Sequence, residues 1–269
     1  MRIKVLGTAV DLINKKESLS LITSWISKNS NPMKLIVTAY SEFFVRAQSD
    51  LDFKRILNEA DLVTPDGVSV LAATKYLNDI NGKSKIEKLA RGIKIGGEIL
   101  QGKVGETVTG VWLFENLTKM AEKHGWRIFL LGGWNNVSER TAQMLLKRFP
   151  KIKVEYDEGE KRVGTDEKTN KRVILKINKF APDILFVSYN PINQEKWLAL
   201  HKRKLKVKVG IGVGGTFNEY LGEFKKAPKW MEKAGLKWLW RVWIEPKRWK
   251  RIFRAVIVFP WMVFKESCD

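Results

Sequence analysis

Cysteine is almost missing from this chain of 269 residues. The single cysteine, Cys268, cannot form a disulfide within one chain, so the sequence lacks the disulfide framework of small secreted proteins. The two histidines, His124 and His201, stand in no cysteine or carboxylate pattern that predicts a zinc site. These scarcities exclude a disulfide-stabilised fold and give no indication of a metal centre.

Long hydrophobic runs are absent as well. The longest, residues 255–264, is about half of the ~20 residues that a membrane-spanning helix needs, and it contains Pro260. The N-terminus reaches Asp11 after a short apolar stretch that does not resemble a signal peptide. We therefore expect a cytoplasmic protein that can lie on a membrane surface without crossing it.

Acidic residues are scarce relative to basic ones. The 29 Asp and Glu residues face 49 Lys and Arg residues, which leaves a formal net charge of +20. This charge predicts a polyanionic partner, either nucleic acid, an anionic membrane or a phosphorylated substrate. The hydrophobic fraction of 44% is that of an ordinary globular protein, so the charge does not indicate disorder.

The basic residues concentrate in the C-terminal arm, residues 225–269, where tryptophans are interleaved with them. Tryptophan rings and long cationic side chains are typical of a membrane interface, although nucleic acid can bind the same groups. The uncharged run 255–264 favours lipid over nucleic acid. The sequence thus predicts an α/β domain over residues 1–224 and a helical, basic membrane-binding appendage over residues 225–269.

Short β-branched runs alternate with amphipathic runs along residues 1–224, as in βαβ units. The pattern predicts a Rossmann-like, mostly parallel sheet flanked by helices. The predicted strands are 3–6, 35–38, 62–64, 128–131, 154–156, 184–187 and 207–211. Residues 42–58 predict one long helix. The glycine- and lysine-rich segment 78–106 predicts an irregular loop, either mobile near the active face or a plain surface insertion.

Ligands in open α/β sheets bind beyond the carboxyl ends of the strands. The loops at these ends that stand out are 38–42, 64–67, 131–135 and 212–217. Two of them contain paired glycines, which would present backbone N–H groups to a phosphate but are also usual in any tight turn. Asp66, between Pro65 and Gly67, is positioned either to act as a general base or to cap a helix beginning near Val68.

Four motifs follow one another in an informative order. They are Thr-Pro-Asp-Gly at 64–67, Asn-Gln-Glu-Lys-Trp at 193–197, Gly-Val-Gly-Gly-Thr-Phe at 212–217, and Arg241 followed by Glu245-Pro246, Arg248 and Arg251. Together they resemble the WecG/TagA/CpsF glycosyltransferases, from Val5 to about Arg254.

The resemblance implies an inverting, metal-independent enzyme that needs no cofactor. It would move a sugar from a UDP-sugar to a sugar carried on undecaprenyl diphosphate, at the inner face of the cell membrane, for bacterial surface polymers such as teichoic acid or exopolysaccharide. Members of the family commonly self-associate, so a homo-oligomer is also an expectation.

Residue roles follow from the same resemblance. Asp66 matches the catalytic base. The donor and substrate pocket is assigned to Thr38, Tyr40, Gln194, Gly214, Gly215 and Thr216. The arginines that would reach the acceptor's diphosphate are Arg241, Arg248 and Arg251, since planar guanidinium groups suit phosphate oxygens.

Three positions depart from the family pattern around the donor site. Tyr40 stands where asparagine is familiar, Thr107 where arginine is frequent, and Asn218 where aspartate is common. The resemblance therefore does not assign the transferred sugar, and Arg91 or Lys103 is a candidate for the missing charge. Two alternatives stay open: a catalytically inactive family member that acts as a scaffold, and a nucleic-acid-binding protein that uses the basic arm.

Overall fold

The computed structural model describes residues 1–28, 31–160, 166–223 and 249–268, together with Pro228, Met231, Leu239, Trp240 and Trp243. The strands are β1 (Arg2–Val5), β2 (Thr8–Asp11), β3 (Lys34–Ala39), β4 (Leu62–Pro65), β5 (Arg127–Gly132), β6 (Lys153–Asp157), β7 (Ile184–Ser188) and β8 (Val209–Gly212).

The helices flank these strands along the chain. They are α1 (Lys15–Ser27), α2 (Ser41–Ala47), α3 (Leu51–Glu59), α4 (Val68–Asp79), α5 (Lys85–Leu100), α6 (Gly110–His124), α7 (Val137–Arg148), α8 (Glu167–Phe180), α9 (Asn193–His201), α10 (Thr216–Tyr220), α11 (Trp249–Phe253) and α12 (Phe259–Cys268), with a π-helical turn Arg254–Val258 between the last two. In the described part of the chain, no helix is long and apolar enough to cross a bilayer.

Six strands form one parallel sheet in the order β4-β3-β8-β7-β5-β6. The central strands β3, β8, β7 and β5 are almost continuously buried because both faces of the sheet are covered by helices, whereas the edge strand β6 carries Lys153 and Glu155 and is largely exposed or half-buried. In β5, Ile128 and Leu130 join the core beneath α1, α6 and α7, whereas Phe129 and Leu131 join the core beneath α2, α3 and α4. The predicted α/β fold with a parallel sheet is thereby confirmed.

The first predicted strand does not belong to this sheet. β1 pairs antiparallel with β2, a strand that the sequence did not predict, in a separate two-stranded hairpin. The turn uses Leu6 and Gly7, whose φ angles are 51° and 65°. Two successive positive φ angles are those of the tight hairpin turns that match strand twist.

Two predictions, one of a helix and one of a loop, were wrong. The single helix expected over 42–58 is interrupted between α2 and α3, where the Asp50 side chain accepts a hydrogen bond from the Phe53 backbone N–H at 3.0 Å and caps α3. The irregular loop expected over 78–106 contains the helix α5. Ser84 and Glu87 cap its start, with the Ser84 backbone N–H donating to Glu87 at 2.8 Å.

The C-terminal helical segment, α11 to α12, packs on the body of the sheet domain. Phe259 and Val263 are buried in the core that includes α2, and the Phe259 ring lies 5.7 Å from the Phe44 ring. The Leu6 backbone N–H donates to Glu266 at 3.1 Å. The predicted boundary at residues 224 and 225 lies outside the described residues, so the division into two domains stays a prediction.

Candidate active site

A cleft of about 1010 Å³ opens at the carboxyl ends of the parallel strands. All four loops singled out in the sequence contribute to it, after β3, β4, β5 and β8. The described residues place seven of the predicted site residues in its wall: Thr38, Tyr40, Asp66, Gln194, Gly214, Gly215 and Thr216. The topology of the sheet explains this convergence, because the carboxyl ends of parallel strands share one edge.

Asp66 follows the last residue of β4 and is held from two sides. Its backbone N–H donates to Ala39 at 2.9 Å, and its Oδ2 accepts from the Gly110 backbone N–H at 3.1 Å, at the start of α6. The N-cap of α4 is Gly67, so Asp66 does not cap that helix, as the alternative interpretation proposed. The carboxylate instead faces the positive end of α6, where negative charge is stabilised.

Thr38 and Thr216 lie under the cleft with their hydroxyl groups engaged. Thr38 donates to the Gly212 carbonyl at 3.1 Å, and Thr216 donates to the Val213 carbonyl at 2.6 Å. A methyl group added at Gly110 would stand 3.3 Å from the Thr38 hydroxyl. Thr38 therefore ties the end of β3 to β8, Thr216 closes the turn that begins α10, and both hydroxyl groups lie close to the start of α6 in the wall of the cleft.

Gln194 joins α9 to the glycine loop after β8. Its Oε1 accepts from the Gly214 backbone N–H at 3.0 Å, and its Nε2 donates to Glu195 at 2.7 Å. The other oxygen of Glu195 accepts from the Ile192 backbone N–H at 2.7 Å. Because the Gly214 N–H can only donate, the orientation of the Gln194 amide is fixed.

Glu195 is fully buried directly behind Gln194. Burial away from water raises the pKa of the Glu195 carboxyl to about 7, although three hydrogen bonds to its ionised form oppose the rise. Gly212 lies against this carboxyl so closely that an added methyl carbon would be 2.5 Å from its Oε1. A titrating carboxyl thus supports the part of the cleft formed by Gln194 and Gly214.

Tyr40 occupies the position where the family pattern has asparagine. It is the N-cap residue of α2 without a capping side-chain hydrogen bond, and its ring lies 4.6 Å from that of Phe43. Together with Asp66, Tyr40 lines the cleft, which therefore has an aromatic surface where the family pattern has an amide.

The described wall of the cleft is acidic. It includes Glu42, Asp66, Glu115 and Glu219 and, within the described part of the chain, no lysine or arginine. Arg254 lies just outside and pairs with Glu42 at 3.7 Å. Any cation that touches a ligand in this cleft must therefore come from outside the described wall.

The predicted diphosphate-binding arginines fall largely where the structure gives no description. Arg241 and Arg248 lie outside the described residues, and Arg251 lies within α11 but its side chain is outside the described part. Its neighbour Ile252, and Ala255 one turn later, line the cleft. The C-terminal segment therefore borders the cleft.

The substitutes suggested for the charge missing at Thr107 do not stand at the cleft. Arg91 and Lys103 are both absent from its described wall. Arg91 pairs with Asp79 and, at 2.8 Å, with Glu98, which ties α5 to α4. These contacts give Arg91 a role in holding two helices together.

Other residues of the cleft wall were not predicted from the sequence. The loop 188–191 after β7 contributes Ser188, Tyr189, Asn190 and Pro191, and α6 contributes Trp112 and Glu115. The signal that could have found the loop is the one used elsewhere, a polar turn directly after a buried strand. Helix α6 carried no such signal, because its wall residues sit on an ordinary amphipathic face.

Metal ligands do not cluster in the described part of the chain, where no three His, Cys, Asp or Glu side chains come together. The sequence does contain one Asp-x-Asp, Asp50 to Asp52, a pattern that can hold a metal. Asp50 caps α3 and pairs with Lys196 at 2.6 Å, and neither aspartate lines the cleft.

Comparisons with known proteins agree with this geometry. Residues 3–91 and 89–269 match the glycosyl transferase WecG/TagA/CpsF family. Proteins of Staphylococcus aureus strains MRSA252 and NCTC 8325 are each 25% identical over 268 residues, which cover 99% of this chain and 93% of theirs. Both are named N-acetylglucosaminyldiphosphoundecaprenol N-acetyl-β-D-mannosaminyltransferase. The chain thus belongs to the WecG/TagA/CpsF family of glycosyltransferases.

Proposed function

We propose that this glycosyltransferase moves a sugar from a UDP-sugar to a sugar carried on undecaprenyl diphosphate, with inversion and without a metal ion. The observation that carries the proposal is the position of Asp66. Its carboxylate lies in the cleft wall at the end of β4, between β3 and the start of α6. The acceptor class agrees with the names of the S. aureus relatives.

In the proposed step, Asp66 accepts the proton of the acceptor hydroxyl while that oxygen forms a bond to the anomeric carbon of the donor sugar. The bond from the anomeric carbon to the phosphate oxygen breaks, and UDP leaves with its electron pair. Attack from the face opposite UDP inverts the anomeric configuration. A positioned general base contributes about 10²–10⁴-fold to such a rate.

The departing diphosphate and the diphosphate of the acceptor both need positive partners. Since the described wall supplies four carboxylates and no basic side chain, we assign this role to Arg241, Arg248 and Arg251 of the C-terminal arm. The contact of Ile252 with the cleft supports the assignment, because it is the neighbour of Arg251 in the sequence.

The same arm is proposed to hold the enzyme on the cytoplasmic face of the membrane. Trp249, Phe253, Ile257 and Trp261 are exposed on α11, the π-helical turn and α12, while Phe259 and Val263 face the core. Exposed aromatic rings among basic residues are typical of helices that lie in a membrane interface.

The test is a transfer assay with purified protein, a synthetic polyprenyl-diphosphate N-acetylglucosamine acceptor and a panel of UDP-sugars. We expect UDP release with at least one donor, unchanged by a chelator. Absence of release with every donor would instead identify an inactive scaffold.

Asp66→Asn tests the base. Asparagine can still accept the hydrogen bond from Gly110, so the cleft should keep its shape while turnover falls about 10²–10⁴-fold. Asp52→Asn, on the exposed start of α3, is the matched control and should keep full turnover. Full turnover of Asp66→Asn would overturn the assignment.

A further inference from the structure

Helix α5 presents its apolar side chains to solvent. Ile86, Leu89, Ile93 and Leu100 are 81%, 53%, 71% and 60% exposed, whereas Ile95 is the one fully buried side chain of the helix. Their spacing of three, four and seven residues puts the four exposed side chains on one face. We call this face the α5 stripe. A surface helix normally turns such a stripe towards the core.

The opposite side of α5 is firmly attached, so the stripe cannot simply rotate inward. Arg91 pairs with Asp79 of α4 and with Glu98 of α5 itself, and Lys88 donates to the Ser267 carbonyl of α12. Lys75 of α4 also pairs with Glu98 at 2.7 Å. The exposure of the stripe is therefore a fixed property of the fold.

The surroundings of the α5 stripe are basic. Four exposed lysines lie at the ends and flanks of the helix: Lys83, Lys85, Lys94 and Lys103. By contrast, Glu87 caps the helix start and Glu98 is engaged by Lys75 and Arg91. An apolar strip flanked by lysines matches an anionic membrane surface, whose headgroups attract the cations while the acyl boundary takes the apolar side chains.

A second copy of the chain fits this surface less well. A two-fold contact through the stripe would bring the same lysines of both copies together. Four apolar side chains also offer less than the ~800 Å² per partner of a stable interface. The charge and the size of the stripe thus favour lipid.

The α5 stripe also adjoins the segment already proposed to touch the membrane. Ser267, at the end of α12, accepts from Lys88 and lies 3.1 Å from the Tyr76 hydroxyl of α4. A bilayer that holds Trp261 of α12 is therefore brought close to α5. Two membrane contacts on one chain bind more tightly than either contact alone, because the second forms at a high effective concentration once the first has formed.

We propose that the α5 stripe is a second membrane-binding surface, specific for anionic lipid, that acts together with the C-terminal arm. This inference rests on the membrane association proposed above.

The experiment measures binding of the full chain to vesicles of phosphatidylcholine and phosphatidylglycerol in equal parts. Ile86→Ser combined with Ile93→Ser should lower the partition coefficient by roughly tenfold, because two exposed side chains lose their burial in the interface. The matched control is Leu146→Ser with Leu175→Ser, two exposed leucines on α7 and α8, which should leave binding unchanged. Lys85→Gln with Lys94→Gln should weaken binding to these vesicles only and leave binding to pure phosphatidylcholine unchanged.

Further readouts separate this inference from the proposals on which it rests. The Ile86/Ile93 variant should keep its transfer rate with a soluble short-chain acceptor, because none of the α5 residues lines the cleft. If Trp261→Ser abolishes vesicle binding while the Ile86/Ile93 variant binds as well as the parent, the stripe is not a lipid contact and the arm is the anchor alone. If sedimentation shows a parent dimer that the Ile86/Ile93 variant loses with vesicle binding intact, the stripe is a self-association surface and the inference is overturned.

Discussion

Replacing Glu195 by glutamine changes one atom of the buried carboxyl behind Gln194 and should strongly lower kcat/KM. In the parent protein, the Gln194 amide and the Ile192 backbone N–H each donate to one oxygen of this buried carboxylate, which also interacts with the backbone N–H of Glu195 itself. Glutamine offers one oxygen and one NH₂ group, so one of the two donors meets another donor. The Gln194 amide cannot turn over to compensate, because its oxygen is needed by the Gly214 N–H.

The size of the effect follows from the lost hydrogen bond. A buried hydrogen bond to a charged group contributes about 1.5–3 kcal/mol, and that loss in the cleft support corresponds to roughly 10–100-fold in kcat/KM. Stability should change in a pH-dependent way. The folded pKa of about 7 lies above the ordinary 4.5, so the folded state holds the proton more tightly than the unfolded state.

The consequence for the pH profile has a definite sign. The contribution of Glu195 to the free energy of unfolding is fully present below pH 4.5 and is lost as the pH rises through about 7. At 1.36 kcal/mol per pKa unit, the loss is about 3 kcal/mol. Glu195→Gln should remove this slope. The kcat/KM of the parent should fall below pH 7, because a protonated Glu195 carboxyl can no longer accept hydrogen bonds from both donors. The kcat/KM of the variant should be low over the whole pH range.

Two measurements check this reasoning. Denaturant unfolding at several pH values gives the slope, and kcat/KM over the same range gives the activity profile. Glu167→Gln removes a glutamate that is 80% exposed on α8 and serves as the control for charge alone. If Glu195→Gln kept the parent's kcat/KM and the parent's stability slope, the buried carboxylate would not support the cleft.

Two further predictions concern packing around the same site. Gly212→Ala should lower kcat/KM at least tenfold with the chain still folded, because the added methyl carbon would stand 2.5 Å from Glu195 Oε1 and 2.7 Å from Gln194 Nε2. Gly96→Ala on α5, where an added methyl group meets open space, is the control. Equal kcat/KM of the two variants would contradict the argument. Phe259→Ala should loosen α11 and α12, since the ring is buried against Phe44 and its loss costs about 3–5 kcal/mol. Limited tryptic proteolysis should then cut first at Lys250 and Arg254. A fall in melting temperature without early cleavage at these residues would refute the local loosening.

Much of the fold was accessible from local pattern. Most strands of the parallel sheet are short apolar runs covered on both faces, the edge strand β6 being the exception. The polar loops after β3, β4, β5 and β8 meet in one cleft because the strands are parallel. Asp66 was predicted to lie there for the same reason. Its bond to the Gly110 backbone N–H was not, since it joins two segments 44 residues apart.

The errors have physical causes that can be named. In α5, Gly92, Gly96 and Gly97 each cost up to about 1 kcal/mol relative to alanine, which is why local propensity predicts a loop. Ion pairs of Arg91 and Glu98 with α4 offset that cost, and such tertiary contacts leave no periodic trace in the sequence. The capping pair of Ser84 and Glu87 was the local sign of a helix start.

The hydrogen bonds behind the cleft were beyond sequence reasoning. The motif at 193–197 drew attention to Gln194, but the depth of Glu195 depends on the close approach of Gly212 from another strand. Similarly, the buried position of Phe259 could not be separated from its lipid-facing neighbours in the uncharged run 255–264. One run of apolar residues carries both a core face and an exposed face.

The order of strands in the sheet affects how the protein is made. Among the strands that the structure describes, β8 is the last to be synthesised, yet it lies between β3 and β7 and pairs with both. Within the six-stranded sheet, it connects the pair β4-β3 to the trio β7-β5-β6. In a ribosome-bound chain that ends before residue 209, these two groups of strands are therefore not yet joined. Each group then has an open edge, and open strand edges are prone to wrong pairing. Asp66 and the loops after β5 and β7 acquire their common cleft only when β8 inserts, so folding of this enzyme is governed by contacts of long sequence separation.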